Sequence, residues 1–319
     1  MASTTATSFS ELDALSALTK VTISRRRNDF PDGSLAPLCA SARLQAFALV
    51  EALTLYDNEL RDVDAALRLI SPRAPKVVLL NLGRNLISSL TALESFPNLV
   101  SLLLEENELV RLPALGNLKC LKVLRLTHNR FASLDVRGLP DLEELAVDSN
   151  QLVRLPEGIE TLSKLKIFNA RDNLLAQLPD GLGDCAALTV LALSSNRLTE
   201  LPQSFEKLQN LETCYLNANL FQSMPNCLFS SGACPKLRRV NLASCKLKTQ
   251  LAGLVSGAIV EPFGTFSRDE LPNAPNDRFG RGERIIVVAY NEGAHTDAAS
   301  PKKAAKPARA ADEAAPMEM

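Results

Sequence analysis

From residue 50 to residue 247 the chain repeats one arrangement of apolar and polar positions, apolar-x-x-apolar-x-apolar-x-x-Asn-x-apolar, nine times. The first segments are VEALTLYDNEL (50–60), VVLLNLGRNLI (77–87), LVSLLLEENEL (99–109) and LKVLRLTHNRF (121–131). LEELAVDSNQL (142–152), LKIFNARDNLL (165–175), LTVLALSSNRL (188–198), LETCYLNANLF (211–221) and LRRVNLASCKL (237–247) complete the set. The Asn column holds Asn58, Asn85, Asn107, Asn129, Asn150, Asn173, Asn196 and Asn219, with Cys245 in the ninth place, at spacings of 27, 22, 22, 21, 23, 23, 23 and 26 residues. Alternation of apolar residues with free positions predicts a short strand in each segment, one side facing a core and the other facing solvent. One such unit cannot bury its apolar side alone, so the pattern predicts a parallel ladder of stacked units with a continuous aliphatic core.

Nine matches in near-constant register resemble the leucine-rich repeat family over roughly residues 44–250. The resemblance implies an α/β leucine-rich repeat solenoid: a curved horseshoe with a parallel β-sheet on the concave face and short helices, 3-10 turns or loops on the convex face. It also implies that the Asn side chains bond backbone groups in the turn after each strand, because a buried amide is costly unless its donors and acceptor are paired. All eight Asn are read as structural, and Cys245 as a small buried substitute. The halves LVRLPEGIETL, LAQLPDGLGDC, LTELPQSFEKL and FQSMPNCLF resemble the 23-residue repeats of the intracellular Ras group. The earlier, shorter repeats are similar to those of the protein phosphatase 1 regulatory subunit.

Solenoid ends expose core unless capped. Residues 1–43 are expected to form an irregular N-terminal cap, in which LTKVTI is a degenerate strand with Leu18, Val21 and Ile23 inward. Arg25, Arg26 and Arg27 are read as a solvated cluster. Residues 251–292, with the apolar run RIIVVAY (284–290), are expected to be a C-terminal cap, a partner-binding strand being the alternative. Residues 293–319 hold ten Ala but no Leu, Ile, Val or aromatic residue, so a disordered tail is expected there.

Composition narrows the function. The 319 residues carry 35 basic and 36 acidic side chains, which gives no general pull toward nucleic acid or an anionic membrane. Seven Cys without a CxxC pair fit neither a disulfide framework nor a zinc module and suit a reducing, cytoplasmic setting. No run approaches a membrane span and no secretory signal pattern opens the chain. Only His128 and His295 are present, nothing in LRLTHNRF marks His128 as a catalytic base, and no phosphate-loop, zinc or calcium motif occurs. The chain is therefore expected to be non-catalytic, without cofactor or metal, and monomeric by itself.

Function then falls on the outward strand positions, where the repeat leaves residue choice free. They mix apolar, aromatic and oppositely charged groups, which suits a protein partner better than a phosphate backbone. The expected protein-binding face comprises Tyr56, Leu103, Glu105, Arg125, Asp148, Ile167, Arg171, Tyr215, Asn217 and Arg239. Leu79, Leu103, Val123, Ile167 and Val190 form its apolar strip, and Tyr56 and Tyr215 are aromatic anchors near its ends. Arg125 and Arg171 flank Asp148, either as a specificity set for a charged partner or as a mutually paired surface ladder. The expected role is an intracellular interaction scaffold or adaptor. The alternatives are a regulatory subunit of a signalling enzyme, in a phosphatase or small-GTPase pathway, and an enzyme-recruiting protein acting through residues 251–292.

Overall fold

The computed structural model of the chain describes residues 5–14, 18–30, 32–228, 232–245, 247 and 286–288. Most of the expected C-terminal cap and all of the expected tail, with His295, lie outside the described residues.

Nine three-residue strands form at the nine repeats: β3 (Ala52–Thr54), β4 (Leu79–Asn81), β5 (Ser101–Leu103), β6 (Val123–Arg125), β7 (Glu144–Ala146), β8 (Ile167–Asn169), β9 (Val190–Ala192), β10 (Thr213–Tyr215) and β11 (Arg239–Asn241). Two more precede them, β1 (Thr5–Ala6) and β2 (Lys20–Thr22), and β12 (Ile286–Val288) follows. All twelve lie in one sheet in chain order and every neighbouring pair is parallel. Eleven strand gaps at ~4.8 Å give a spine on the order of 50 Å.

Register follows from burial. The central residue of each repeat strand points inward, so Leu53, Leu80, Leu102, Leu124, Leu145, Phe168, Leu191, Cys214 and Val240 stand side by side and are fully buried. A one-residue slip would turn this whole column to water, at roughly 1.5–3 kcal/mol for each large side chain. Phe131, Phe168, Phe205 and Phe221 add bulk to the second half of the core.

The sheet extends into residues 1–43. Leu18, Val21 and Ile23 are fully buried around β2, which pairs with both β1 and β3. Arg26 stands where later repeats have Asn, and its backbone N–H donates to Asn58 Oδ1 at 2.8 Å. The insert after it folds as 3-10 turns and a short helix, α2 (Ser41–Ala46), which packs near α1 (Phe9–Ala14). At the other end, the apolar run around residue 287 supplies β12, paired with β11 inside the chain.

Opposite the sheet, convex structure follows repeat length. The 27-residue first spacing accommodates α3 (Asp64–Ile70), whereas the Leu-Pro repeats close with 3-10 turns at Ile159–Thr161, Asp180–Asp184 and Gln203–Lys207, and the following Met-Pro repeat with one at Asn226–Leu228. Pro179 and Pro202 sit in extended backbone before their turns. A fixed φ and a missing N–H suit that position, where no ladder bond is required.

Each Asn amide ties two repeats together. Asn150 Nδ2 donates to Leu126 O of the preceding repeat at 3.0 Å and to Val147 O and Asp148 O of its own at 3.1 Å, while its Oδ1 accepts the Phe131 N–H at 3.0 Å. The same pattern recurs at Asn107, Asn129, Asn173, Asn196 and Asn219. Cys245 substitutes weakly, its buried thiol donating to Leu216 O at 3.4 Å.

A second column lies beside the first. The residue before the Asn position has positive φ in every repeat: Asp57, Arg84, Glu106, His128, Ser149, Asp172, Ser195, Ala218 and Ser244, and Arg25 in the β2 unit. This left-handed step turns the chain out of the strand and costs roughly 1–2 kcal/mol for an ordinary L-residue. No glycine occupies it, so the amide ladder and stacking hold the conformation.

Candidate protein-binding face

The side chains that flank each buried strand centre form the outward face. All ten expected residues lie there partly or well exposed, with Arg125, Arg171 and Arg239 the most open. Ser101, Val123, Glu144, Ile167, Val190 and Thr213 make one row, and Leu103, Arg125, Ala146, Asn169, Ala192 and Tyr215 the next. Glu105, Thr127, Asp148, Arg171 and Asn217 follow where the strands end.

The structure shows how Arg125, Arg171 and Asp148 pair within the chain, and the mutual ladder among these three does not form as drawn. The Arg125 guanidinium pairs with Glu144 on the adjacent strand at 2.7 Å, not with Asp148. Arg171 offers its backbone N–H, not its guanidinium, to Asp148 Oδ1 at 3.0 Å. Its guanidinium lies over the Tyr215 ring, 4.9 Å from the centroid. Cation–π stacking of this kind holds a ring at a set angle while leaving its edge available.

Tyr56 is arranged likewise at the other end. The Arg84 guanidinium lies 5.9 Å from its ring centroid, and Gly83 fills the neighbouring row position. A Cβ at Gly83 would meet Tyr56 Cδ2 at 3.1 Å, so the glycine lets the ring lie against the backbone.

A paired ladder does exist, one residue before the strands. Lys122, Glu143 and Lys166 alternate along that rim, with Nζ to carboxylate distances of 3.1 and 2.6 Å. Sequence reasoning overlooked it because it concentrated on the strand columns; the alternation Lys, Glu, Lys at one repeat position is the signal that identifies it. Arg25 and Arg27 are also paired, with Asp57 and with Asp57 and Glu59 respectively.

Between the anchors lies a basin of ≈ 530 Å³ whose lining includes Tyr56, Leu103, Glu105, Glu106, Arg125, Thr127, Glu144 and Asp148. Its charges divide unequally. Glu144 is taken by Arg125, and Glu106 by Arg84 at 3.0 Å. Glu105 and Asp148 form no ion pair among the described residues, and each is half-buried. Burial pushes both carboxyls above their ordinary values, with the Arg125 charge opposing this at Glu105 and the Arg171 N–H opposing it at Asp148. Thr127 stands between them and donates to Asp148 Oδ2 at 3.4 Å.

Other chemistry is sparse. Among the described residues no group of His, Cys, Asp and Glu is arranged to hold a metal ion, and no helix is long and apolar enough to cross a membrane. None of the seven cysteines is joined in a disulfide among the described residues. Burial raises the Cys185 thiol to about 12 and the Cys227 thiol to about 11, which suppresses the thiolate. His128 is exposed at a left-handed turn position on the rim.

Known proteins repeat this architecture. A model of the leucine-rich repeat matches residues 187–208. Over 106 residues the chain is 38% identical to the geranylgeranyl transferase type-2 subunit alpha of Sus scrofa, a match that covers 32% of this chain and 18% of that protein. The chain thus spans under a fifth of that curated relative. Among solved structures, a leucine-rich repeat protein of Leptospira interrogans superposes with a TM-score of 0.64 at 24% identity, covering 77% of this chain and 66% of that one. The plant peptide hormone receptor RGFR1, in complex with RGF2, superposes with a TM-score of 0.56 at 22% identity, over 74% of this chain and 41% of the receptor chain. These likenesses concern the fold: with the nine-fold repeat and its continuous parallel sheet, the chain is built as a leucine-rich repeat solenoid.

Proposed function

We propose that the chain is a non-catalytic intracellular scaffold or adaptor that captures a protein partner on the outward face of its sheet. The observation that carries this reading is the contrast between the two sides of the same strands. Inward positions hold a Leu-dominated apolar column, whereas outward positions include a non-repeating set of part-exposed Tyr, Leu, Ile, Arg, Asp and Glu side chains around an open basin. Aromatic, arginine and aliphatic groups set beside one another are the raw material of protein interfaces. The solenoid works as a single extended binding surface and acts as a monomer in the cytoplasm.

A second reading makes the chain a regulatory subunit of an enzyme. It is favoured by the shared 106 residues with a protein named as a transferase subunit. Both readings place recognition on the sheet face and differ in what the partner does.

Affinity capture from native cells tests the shared claim. Full-length chain, chain lacking residues 293–319, and full-length chain carrying Tyr215→Ala with Arg171→Glu are compared. The tail deletion is expected to keep the captured partners and the double variant to lose them. The opposite result would move recognition away from the sheet.

A further inference from the structure

The unequal division of charge on this face specifies the partner. We infer that the basin between β5 and β7 receives a Lys or Arg side chain from an extended segment of a partner protein; this rests on the sheet face being the binding surface.

Glu105 and Asp148 carry the argument. They occupy the same row two strands apart, so their backbones are roughly 10 Å from one another. Arg125, the guanidinium that lies between their strands, is held by Glu144 at 2.7 Å. Glu106 is likewise satisfied by Arg84 at 3.0 Å. The remaining pair lose hydration to their surroundings and form no ion pair among the described residues, Arg125 and Arg171 offsetting that loss only in part, an arrangement that is costly in the free protein and is relieved by an incoming cation. A cation above Thr127 stands about half of that separation from each carboxylate, within reach of both.

Several features favour a side-chain cation over a metal ion. No cluster of metal-ligating groups is present among the described residues. Leu103 and the Tyr56 ring line the same basin, and they offer apolar surface to the methylene stem and flanking residues of a Lys or Arg, which a bare ion does not use. The open face suits an extended backbone lying across the strands. Acidic segments are disfavoured there by Glu105, Asp148 and the other carboxylates of the basin, which outnumber Arg125 in its lining.

Selection from a displayed library of random 12-residue peptides, made on the full chain, tests the inference. Selected peptides should be enriched in Lys or Arg. By fluorescence anisotropy they should bind Glu105→Gln about tenfold more weakly and the Glu105→Gln, Asp148→Asn double variant about a hundredfold more weakly, with circular dichroism confirming that both variants are folded. Raised salt should weaken the wild type far more than the double variant.

Peptides that lose binding with Tyr215→Ala and Arg171→Glu but are neutral or acidic, or are indifferent to Glu105 and Asp148, would overturn the cation site and leave the sheet-face reading standing. Peptides indifferent to every sheet-face substitution, or the absence of any selected peptide, would overturn both. A zero-length carboxyl–amine cross-link from Lys302, Lys303 or Lys306 to Glu105 or Asp148 in the full chain would assign the basin to the chain's own C-terminal segment and overturn the inference of a separate partner.

Discussion

Replacing Asn150 with Leu removes one rung of the amide ladder, and its cost follows from which groups retain partners. Leu126 O still receives Asn129 Nδ2 at 3.1 Å, Val147 O still receives Asn173 Nδ2 at 2.9 Å, and Asp148 O still receives the His128 N–H at 2.9 Å. The Phe131 N–H, which donates to Asn150 Oδ1, is left as a buried donor without an acceptor. That orphan costs about 1–3 kcal/mol, and three carbonyls reduced to one donor each add about 1 kcal/mol more, giving roughly 3 kcal/mol in all. For a folded unit of this size the loss corresponds to a fall in Tm of about 6–12 °C. Circular dichroism melting measures the total, and hydrogen exchange should show the Phe131 amide losing protection while strands three repeats away keep theirs. Asn169→Ala is the control, because Asn169 lies on the part-exposed face and its loss should change stability by no more than about 0.5 kcal/mol. An Asn150→Leu chain that melts with the wild type would refute the ladder as a source of stability.

The remaining predictions concern other parts of the same argument. Burial raises Glu105 and Asp148 above their ordinary values of 4.5 and 3.8, so the folded chain holds these protons to higher pH than the unfolded chain does. Their destabilising contribution is therefore complete above the folded values and vanishes as pH falls through the ordinary ones. Glu105→Gln should raise Tm near pH 7, with the gain shrinking toward about pH 4 in a pH series; a variant less stable than wild type at pH 7 would contradict this. Ala218→Gly relieves a non-glycine residue at φ 55° and should stabilise by about 0.5–1 kcal/mol in urea denaturation, the left-handed penalty outweighing glycine's greater chain entropy; destabilisation would show that the turn is not strained. Of the seven thiols, Cys120 is exposed, Cys39 intermediate and the other five buried. Mass spectrometry after brief alkylation of native protein should find Cys120 modified first and Cys185, Cys214 and Cys227 modified only after unfolding; early labelling of Cys214 would contradict the packing of the core.

Much of the fold was legible because the repeat encodes it. Inward Leu positions, strand register and the Asn column are all set by periodicity, since a slip of one residue would expose the entire core. The left-handed column was not legible, because nothing in residues as different as Arg84, His128 and Ala218 signals a positive φ; stacking imposes the conformation on them. The N-terminal extension was partly legible through Leu18, Val21 and Ile23, but β1 is two residues long and carries no periodic signal. On the sheet face, sequence placed each side chain in the correct row. It did not give the pairings, because Arg125 can reach Glu105, Glu144 or Asp148, and side-chain rotamers decide between them. The structure sends Arg125 to Glu144 and Arg171 onto Tyr215, which leaves Glu105 and Asp148 without an ion pair among the described residues.

The central claim is that partners bind on the sheet face, and hydroxyl-radical footprinting of the chain with and without a captured partner tests it most directly. Oxidation reports side-chain exposure, and the chain contains its own controls in Leu69, Val110 and Val153, which are about half exposed away from the strand rows. Binding should protect Tyr56, Leu103, Ile167 and Tyr215 while these three continue to be oxidised at their free rates. Protection of Leu69, Val110 or Val153 with the four sheet-face residues unchanged would contradict the account.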